Sequence, residues 1–334
     1  ELGLSLFTHR PDGDKDGYFL LMLSPGIDVK QDKVVEKDVA FVLDTSGSMA
    51  GKKIEQAKKA LEFCLHNLNE GDRFEVVRFS TEAETLFSEL KEVSKASRDK
   101  ALNFVKGLKP IGGTAINDAM AETLKLRPKD SKRPFVVIFL TDGRPTVGIT
   151  GESQIVKNVK DTDGKTRVFC FGIGNDVNTH LLDKITESTR AFSQYVLPSE
   201  DIEVKVSQFY TKINEPVMAD PDVVVSWEVA LKQFYPMPLP DLFKGDQLVV
   251  TGRYSGKGKG DLLLAGLVNG KKVKMEYPVE FLAESNEHDF IPRLWATRRV
   301  GFLLDQIRLH GESKELKDEV TTLAKKYGIV TPFT

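Results

Sequence analysis

The sequence FVLDTSGSMAGKK, residues 41–53, joins an apolar strand pattern to the start of a helix through oxygen-bearing side chains. Asp44, Ser46 and Ser48 stand at every second position, and aspartate and serine are favoured neither inside helices nor in a core. Two roles fit such residues. They can cap the helix that the pattern predicts from residue 51, or their oxygens can bind a ligand. The rest of the sequence decides between these roles.

Strand and helix patterns alternate between residues 38 and 213. The strand patterns are short apolar runs, which are typical of strands buried on both faces of a parallel sheet. The segments between them carry apolar residues at helical spacing. This alternation predicts a doubly wound α/β domain with a mainly parallel sheet. The predicted strands cover residues 39–43, 73–79, 134–140, 167–173 and 191–197.

Both flanks of this region have a different pattern. Two short strand patterns near the N-terminus are joined by RPDGDKDG (10–17), and residues 216–283 read as antiparallel strands with glycine-rich turns. Two strands alone are not stable in water, so we expect the N-terminal pair to join the later strands in one β-sandwich. The predicted domains are residues 1–35, the first part of a discontinuous β-sandwich; 36–214, the inserted α/β domain; 215–290, the rest of the sandwich; and 291–334, a C-terminal helical segment.

The composition excludes several classes of partner. The 334 residues include 47 Lys and Arg against 49 Asp and Glu, which argues against a general affinity for nucleic acid or anionic membranes. No apolar run approaches the roughly 20 residues that span a bilayer, so no membrane insertion is expected from this segment. Cys64 and Cys170 both lie in apolar patterns, and we expect them to be small buried side chains.

Ligands of doubly wound folds bind at the carboxyl ends of the strands. One aspartate follows the strand pattern 39–43, a second follows 134–140, and a Gly-Gly pair leads a threonine to the start of a helix. If these strands are neighbours, five oxygen ligands converge at one edge of the sheet. An oxygen set without His or Cys suits a hard cation, so the sequence predicts a site for Mg²⁺, with Mn²⁺ or Ca²⁺ as alternatives. The predicted ligands are Asp44, Ser46, Ser48, Thr114 and Asp142.

These motifs resemble those of a known family. DTSGSM, GGT and TDG, in this order within residues 38–213, resemble the metal-ion-dependent adhesion site of von Willebrand factor type A domains. The flanking GYFLLMLSPG, RLWA and YGIVTPFT are similar to the inter-alpha-trypsin inhibitor heavy-chain family and its bacterial relatives. The VIT domain that usually precedes the A domain in that family is missing, except for a junction strand, which suggests a fragment. The resemblance implies an extracytoplasmic, metal-dependent interaction module without catalysis.

The charge of the predicted site indicates what it binds. Two carboxylates can do no more than neutralise the charge of a divalent ion. At an exposed strand edge, one coordination position of the ion stays open to solvent. We therefore predict that a partner protein binds through one Asp or Glu carboxylate, with loop 144–150 adding specificity.

Two other functions stay open on the sequence. One is a Mg²⁺-dependent phosphoryl-transfer enzyme with Asp44 as the nucleophile, although the position that would hold its general acid is Ser46. The other is a scaffold in which the metal only stabilises the fold.

A second acidic motif lies in the N-terminal hairpin. Asp12, Asp14, Asp16 and Gly17 match the opening of a calcium-binding EF-hand loop, but the twelfth position is Leu23 instead of Glu. A hairpin turn is the favoured interpretation, and a weak calcium site at this turn is the alternative.

Overall fold

The computed structural model describes residues 2–25, 36–129, 133–160, 166–214, 216–225, 228–243, 245–268 and 271–334. The chain divides into two compact units, one formed by Glu1–Gln31 with Glu215–Thr334 and the other by Asp32–Asn214. The predicted fold class is confirmed: a mainly parallel α/β unit lies in the sequence between two parts of a β-sandwich that ends in helices. The predicted boundary at residues 35 and 36 falls beside the segment 26–35, which is outside the described residues.

The elements of the described residues are as follows. The strands are β1 (Leu2–His9), β2 (Asp16–Pro25), β3 (Asp38–Asp44), β4 (Arg73–Phe79), β5 (Ala83–Thr85), β6 (Lys91–Glu92), β7 (Phe135–Thr141), β8 (Thr166–Ile173), β9 (Ser193–Val196), β10 (Pro216–Val225), β11 (Ala230–Tyr235), β12 (Leu242–Phe243), β13 (Leu248–Ser255), β14 (Gly258–Val268) and β15 (Lys271–Phe281). The helices are α1 (Lys52–His66), α2 (Lys95–Gly107), α3 (Ile116–Lys125), α4 (Glu152–Lys160), α5 (Thr179–Ser188), α6 (Ile202–Asn214), α7 (Ile291–His310) and α8 (Lys314–Tyr327).

The sheet of the α/β unit has the order β5-β4-β3-β7-β8-β9, with β6 also against β4. β3, β4, β7, β8 and β9 run parallel, whereas β5 and β6 are antiparallel to β4. Every residue of β3, β7 and β8 is buried, which explains the apolar runs that make up the middle of these strands. Leu43 lies opposite Leu140, so β3 and β7 end at the same level. We call this end of the sheet the carboxyl edge.

Helices cover this sheet through the apolar stripes that the sequence predicts. α3, α4 and α5 pack against one group of strand residues, while α1 contacts α2 and α6. The two cysteines are free and buried, as expected, and burial raises the pKa of the Cys64 thiol. Their role is therefore packing. The buried residues of α1 are Ile54, Ala57, Ala60, Leu61, Cys64 and Leu65.

The other unit is a β-sandwich with sheet orders β1-β2-β13-β11 and β12-β10-β14-β15. β2 lies between β1 and β13, with Leu21 opposite Val250, so the N-terminal strands are part of the sandwich sheet. The hairpin turn predicted at residues 10–17 joins β1 to β2. Of the glycine-rich turn predicted at NGKK (269–272), residues 269–270 lie outside the described residues, and Lys271 and Lys272 belong to β15. The fully buried core residues of the sandwich include Phe19, Leu21, Leu23, Leu264 and Phe281.

The C-terminal helices pack on the β1-β2-β13-β11 sheet of the sandwich. The indole of Trp295 in α7 donates to the carbonyl of Gln233 at 2.9 Å, and Arg299 forms a two-pronged ion pair with Glu319 of α8. The two helices end at Gly311 and Gly328, whose φ values are 92° and 65°.

A buried carboxylate organises the short strands at the edge of the parallel sheet. Glu75 in β4 is fully buried, and burial raises the pKa of its carboxyl group. Its oxygens accept hydrogen bonds from the backbone N–H groups of Val76, Leu86 and Phe87 at 2.8–3.1 Å. Leu86 and Phe87 directly follow β5, so the side chain holds the start of the segment between β5 and β6.

We expect the substitution Glu75→Gln to destabilise the α/β unit. The amide replaces one acceptor oxygen with an NH₂ donor that faces backbone N–H donors, and an unsatisfied buried group costs about 1–3 kcal/mol. Urea unfolding followed by circular dichroism measures the change. Glu82→Gln, at an exposed position in the same segment, is the control and should leave the free energy of unfolding unchanged. Equal stability of both variants would contradict this role of Glu75.

Candidate metal site

Neighbouring strands deliver two aspartates to the carboxyl edge. β3 ends at Asp44, β7 ends at Thr141, and Asp142 follows directly. The two aspartates are 0% and 2% exposed, respectively. Because β3 and β7 are adjacent and end in register, the sheet itself brings these two carboxylates together.

The carboxylate of Asp44 is held by uncharged donors. One oxygen accepts the N–H of Ser46 at 2.8 Å, and the other accepts the hydroxyl of Thr141 at 2.6 Å. The pKa of Asp44 is raised to about 6, because burial and, to a smaller extent, the charge of Asp142 outweigh the hydrogen bonds from Thr141 and Ser46, which lower it. No ion pair with a basic side chain balances this carboxylate within the described part of the chain. A bound cation would supply that balance.

The two serine hydroxyls form a chain that leads to the second aspartate. The Oγ atoms of Ser46 and Ser48 lie 3.0 Å apart, and Ser48 donates to Asp142 Oδ1 at 2.8 Å. Neither hydroxyl caps a helix: the 3₁₀ turn Gly47–Met49 has no side-chain cap, and the N-cap of α1 is Gly51. Helix capping therefore does not explain the alternating pattern.

Thr114 reaches the same place from the loop before α3. The N–H of Gly47 donates to the carbonyl of Gly112 at 3.0 Å, which ties this loop to the serine segment. A methyl group placed on Gly143 would lie 3.6 Å from Thr114 Oγ1 and 3.8 Å from Ser48 Oγ. The hydroxyls of Thr114 and Ser48 therefore both border Gly143, the residue after the second aspartate.

The structure thus brings all five predicted residues together, and it adds two that the sequence analysis missed. Thr141 donates a hydrogen bond to Asp44, and the only indication in the sequence was its place as the threonine of the TDG motif. Lys53 Nζ lies 2.5 Å from Asp142 Oδ2. The sequence offered one indication of this contact: a lysine in the first turn of a helix, where a positive charge is unfavourable.

The donor set fits a hard divalent cation. It comprises two carboxylates and three hydroxyls, which are the oxygen ligands that Mg²⁺ takes together with waters. Among the described residues no group of three or more His, Cys, Asp or Glu side chains is arranged to hold a metal. The hydroxyls therefore carry part of any coordination at this site, which favours Mg²⁺ chemistry over that of softer metals.

The acidic N-terminal turn has another arrangement. Arg10 donates to the carbonyl of Asp14 at 3.0 Å and to that of Lys15 at 2.8 Å. The carboxylate of Asp16 lies 3.4 Å from the ammonium of Lys232. Basic side chains thus occupy acceptors that a calcium ion would use, which favours the hairpin-turn interpretation.

Within the part of the chain that the structure describes, none of the helices has the length and apolar character needed to cross a membrane.

Sequence comparison relates the chain to known proteins. A family model described as von Willebrand factor type A domain matches residues 37–195. Inter-alpha-trypsin inhibitor heavy chain H4 from Homo sapiens is 30% identical over 348 residues, which cover 96% of this chain and 36% of that protein. The H3 heavy chain from Homo sapiens is 29% identical over 340 residues and 38% of its length. The chain therefore spans little more than a third of these relatives.

Structural comparison gives the same fold. A protein described as von Willebrand factor type A from Catenulispora acidiphila superposes with a TM-score of 0.71 at 15% identity, over 98% of this chain and 87% of that chain. The ArnB paralog VWA2 from Sulfolobus acidocaldarius superposes with a TM-score of 0.60 at 18% identity, over 98% and 90%. In both proteins the match includes the β-sandwich and the helices as well as the α/β unit.

Proposed function

We propose that this chain, of which residues 37–195 match the von Willebrand factor type A domain and which is similar to the inter-alpha-trypsin inhibitor heavy chains over 96% of its length, is a metal-dependent protein-interaction module. The proposed interaction domain is residues 36–214, which lie in the sequence between residues 1–35 and 215–290, the two parts of the proposed sandwich; residues 291–334 are the proposed helical segment. One observation supports this proposal above the others: two buried carboxylates and three hydroxyls meet at the carboxyl edge.

The proposed ligands of the ion divide into two kinds. Asp44 and Asp142 supply charge, and the hydroxyls of Ser46, Ser48 and Thr114 supply neutral oxygens. When bound, Mg²⁺ or a related divalent ion adds a positive centre with a coordination position that an anionic oxygen can fill. Hydrogen bonds from Ser46 to Asp44, between Ser46 and Ser48, and from Ser48 to Asp142 hold four of the five side chains near each other, which lowers the ordering cost of binding the ion.

The surroundings of the site suit a partner carboxylate with apolar neighbours. Ile111 is 69% exposed in the loop that leads to Thr114, and Ile149 is 39% exposed in loop 144–150. The guanidinium-bearing Arg144 is also exposed in that loop. We propose that an Asp or Glu of the partner protein fills the open position while these loops select its neighbours.

The two alternative functions receive less support. A phosphoryl-transfer enzyme with Asp44 as the nucleophile needs a general acid two positions later, whereas Ser46 stands there and cannot act as that acid. A purely structural metal would need no exposed coordination position, whereas Ser48 at this site is exposed. The relation to the heavy chains also leads us to propose an extracytoplasmic location.

Selection from a random peptide display library tests this function. We expect immobilised chain with MgCl₂ to enrich peptides that contain Asp or Glu, and we expect EDTA to release them. Changing the shared acidic residue to its amide should remove binding, because an amide is a weaker, uncharged metal ligand. An Asp142→Ala chain is the matched control for binding elsewhere. Peptides that bind equally in EDTA, or equally after every carboxylate is changed, would contradict the proposal.

A further inference from the structure

A lysine ammonium lies on the second aspartate of the proposed metal site. Lys53 Nζ is 2.5 Å from Asp142 Oδ2, and the other oxygen of this carboxylate accepts the Ser48 hydroxyl at 2.8 Å. The side chain of Asp142 is 0% exposed and that of Lys53 is 26% exposed. Both oxygens of the carboxylate are therefore engaged, one of them by a positive charge.

A positive charge in the first turn of a helix is electrostatically unfavourable. The Lys53 side chain also reaches Asp142 only by passing close to a residue that has no side chain. Lys53 lies in the first turn of α1, where the helix dipole favours anions. Its side chain passes Gly174, which follows β8. A Cβ on that glycine would lie 3.0 Å from Lys53 Cε and 3.3 Å from Nζ. Gly174 has a φ of 110°, so a residue with a side chain is disfavoured there for backbone reasons as well. The ion pair with Asp142 offsets the unfavourable interaction of the Lys53 ammonium with the helix dipole.

We propose that Lys53 is an internal cation that competes with the divalent ion for Asp142 and thereby sets the affinity of the site. This inference rests on the proposed metal site. Two carboxylates and one ammonium carry a net charge of −1, so a divalent ion that binds beside Lys53 leaves an excess positive charge. Displacement of the ammonium leaves a neutral site. Binding of the ion and release of Lys53 from Asp142 are therefore coupled.

Removal of the ammonium should tighten binding of the ion. An opposite charge at this distance typically lowers the affinity of a carboxylate for a proton by about one to three orders of magnitude, and we expect the same repulsion to act on a metal ion. For Lys53→Met we therefore expect a Mg²⁺ dissociation constant at least about tenfold lower than that of the unchanged chain. In EDTA the same variant should melt at a lower temperature, because Asp142 loses its partner, and MgCl₂ should close this gap.

Calorimetric titration of the full chain with MgCl₂, together with melting in EDTA and in MgCl₂, tests the proposal. Lys52→Met is the matched control: it removes the same charge from the preceding, exposed residue of α1. Its dissociation constant should stay within about twofold, because exposed charges are well screened. Lys53→Arg keeps the charge and should bind Mg²⁺ about as weakly as the unchanged chain.

The outcomes separate this inference from the function on which it rests. Tighter binding by Lys53→Met alone supports competition. If the unchanged chain binds Mg²⁺ and Lys53→Met binds it equally or more weakly, Lys53 is only a structural partner of Asp142 and the inference is wrong, while the metal site stands. An equal decrease of the Mg²⁺ dissociation constant in Lys52→Met would also overturn it, because the loss of any positive charge near the site would then explain the effect. No binding of Mg²⁺ by any of these chains would overturn the proposed metal site itself.

Discussion

Asp142→Ala is expected to abolish most Mg²⁺ binding while the chain stays folded. The substitution removes one of the two charged ligands. Even residues that only orient a metal ligand contribute about 10- to 100-fold to affinity, so we expect a loss of about 100-fold or more. The fold should persist because Asp142 lies beyond the end of β7 and outside the apolar core clusters. Titration calorimetry measures the affinity, and circular dichroism measures the fold.

Asp176→Ala is the control for this experiment. Asp176 is an exposed carboxylate in the loop after β8, so its loss changes the net charge near the same edge without touching the proposed ligands. Its dissociation constant for Mg²⁺ should match that of the unchanged chain. Unchanged affinity in Asp142→Ala would mean that the ion binds elsewhere.

Leu21→Ala is expected to lower the free energy of unfolding of the β-sandwich by about 2–5 kcal/mol. Leu21 is 0% exposed in β2, between β1 and β13, and it belongs to the core that both sheets share. Truncation leaves a cavity where the packed side chain was. Because two units unfold, scanning calorimetry should assign the loss to the transition that MgCl₂ does not shift.

Leu282→Ala is the matched control, since the same truncation is made at a leucine that is 38% exposed. It should cost less than about 1 kcal/mol, because a half-exposed side chain loses less burial and leaves no closed cavity. Equal effects of the two substitutions would contradict the assignment of the N-terminal strands to the sandwich core. Neither variant should change Mg²⁺ affinity.

Periodicity predicted the central α/β fold because its strands are buried on both faces. Such strands leave an unbroken apolar sequence, and β3, β7 and β8 are buried along their whole length. The same reasoning missed β11, which has a single buried residue and pairs with β13, and the two-residue strand β12. It also missed β5 and β6, which depend on the buried carboxylate of Glu75 in the neighbouring strand.

The sequence by itself determined which residues could form the site. Asp44, Ser46, Ser48, Thr114 and Asp142 are oxygen-bearing residues at strand ends and in a glycine loop, and the alternation of strand and helix placed those ends at one edge. Local spacing and side-chain chemistry carry that information, so no knowledge of distant contacts is needed.

Only the tertiary structure decided how the site is charged. Thr141 binds Asp44 across 97 positions of the chain, and Lys53 binds Asp142 across 89. Their roles depend on which strands become neighbours and on the opening at Gly174, through which the lysine passes. The electrostatic energy of a buried carboxylate depends on atoms within a few ångströms of it, whatever their separation in sequence. Folding alone therefore places a lysine ammonium on a carboxylate of the proposed site, whose candidate ligands are visible in the sequence.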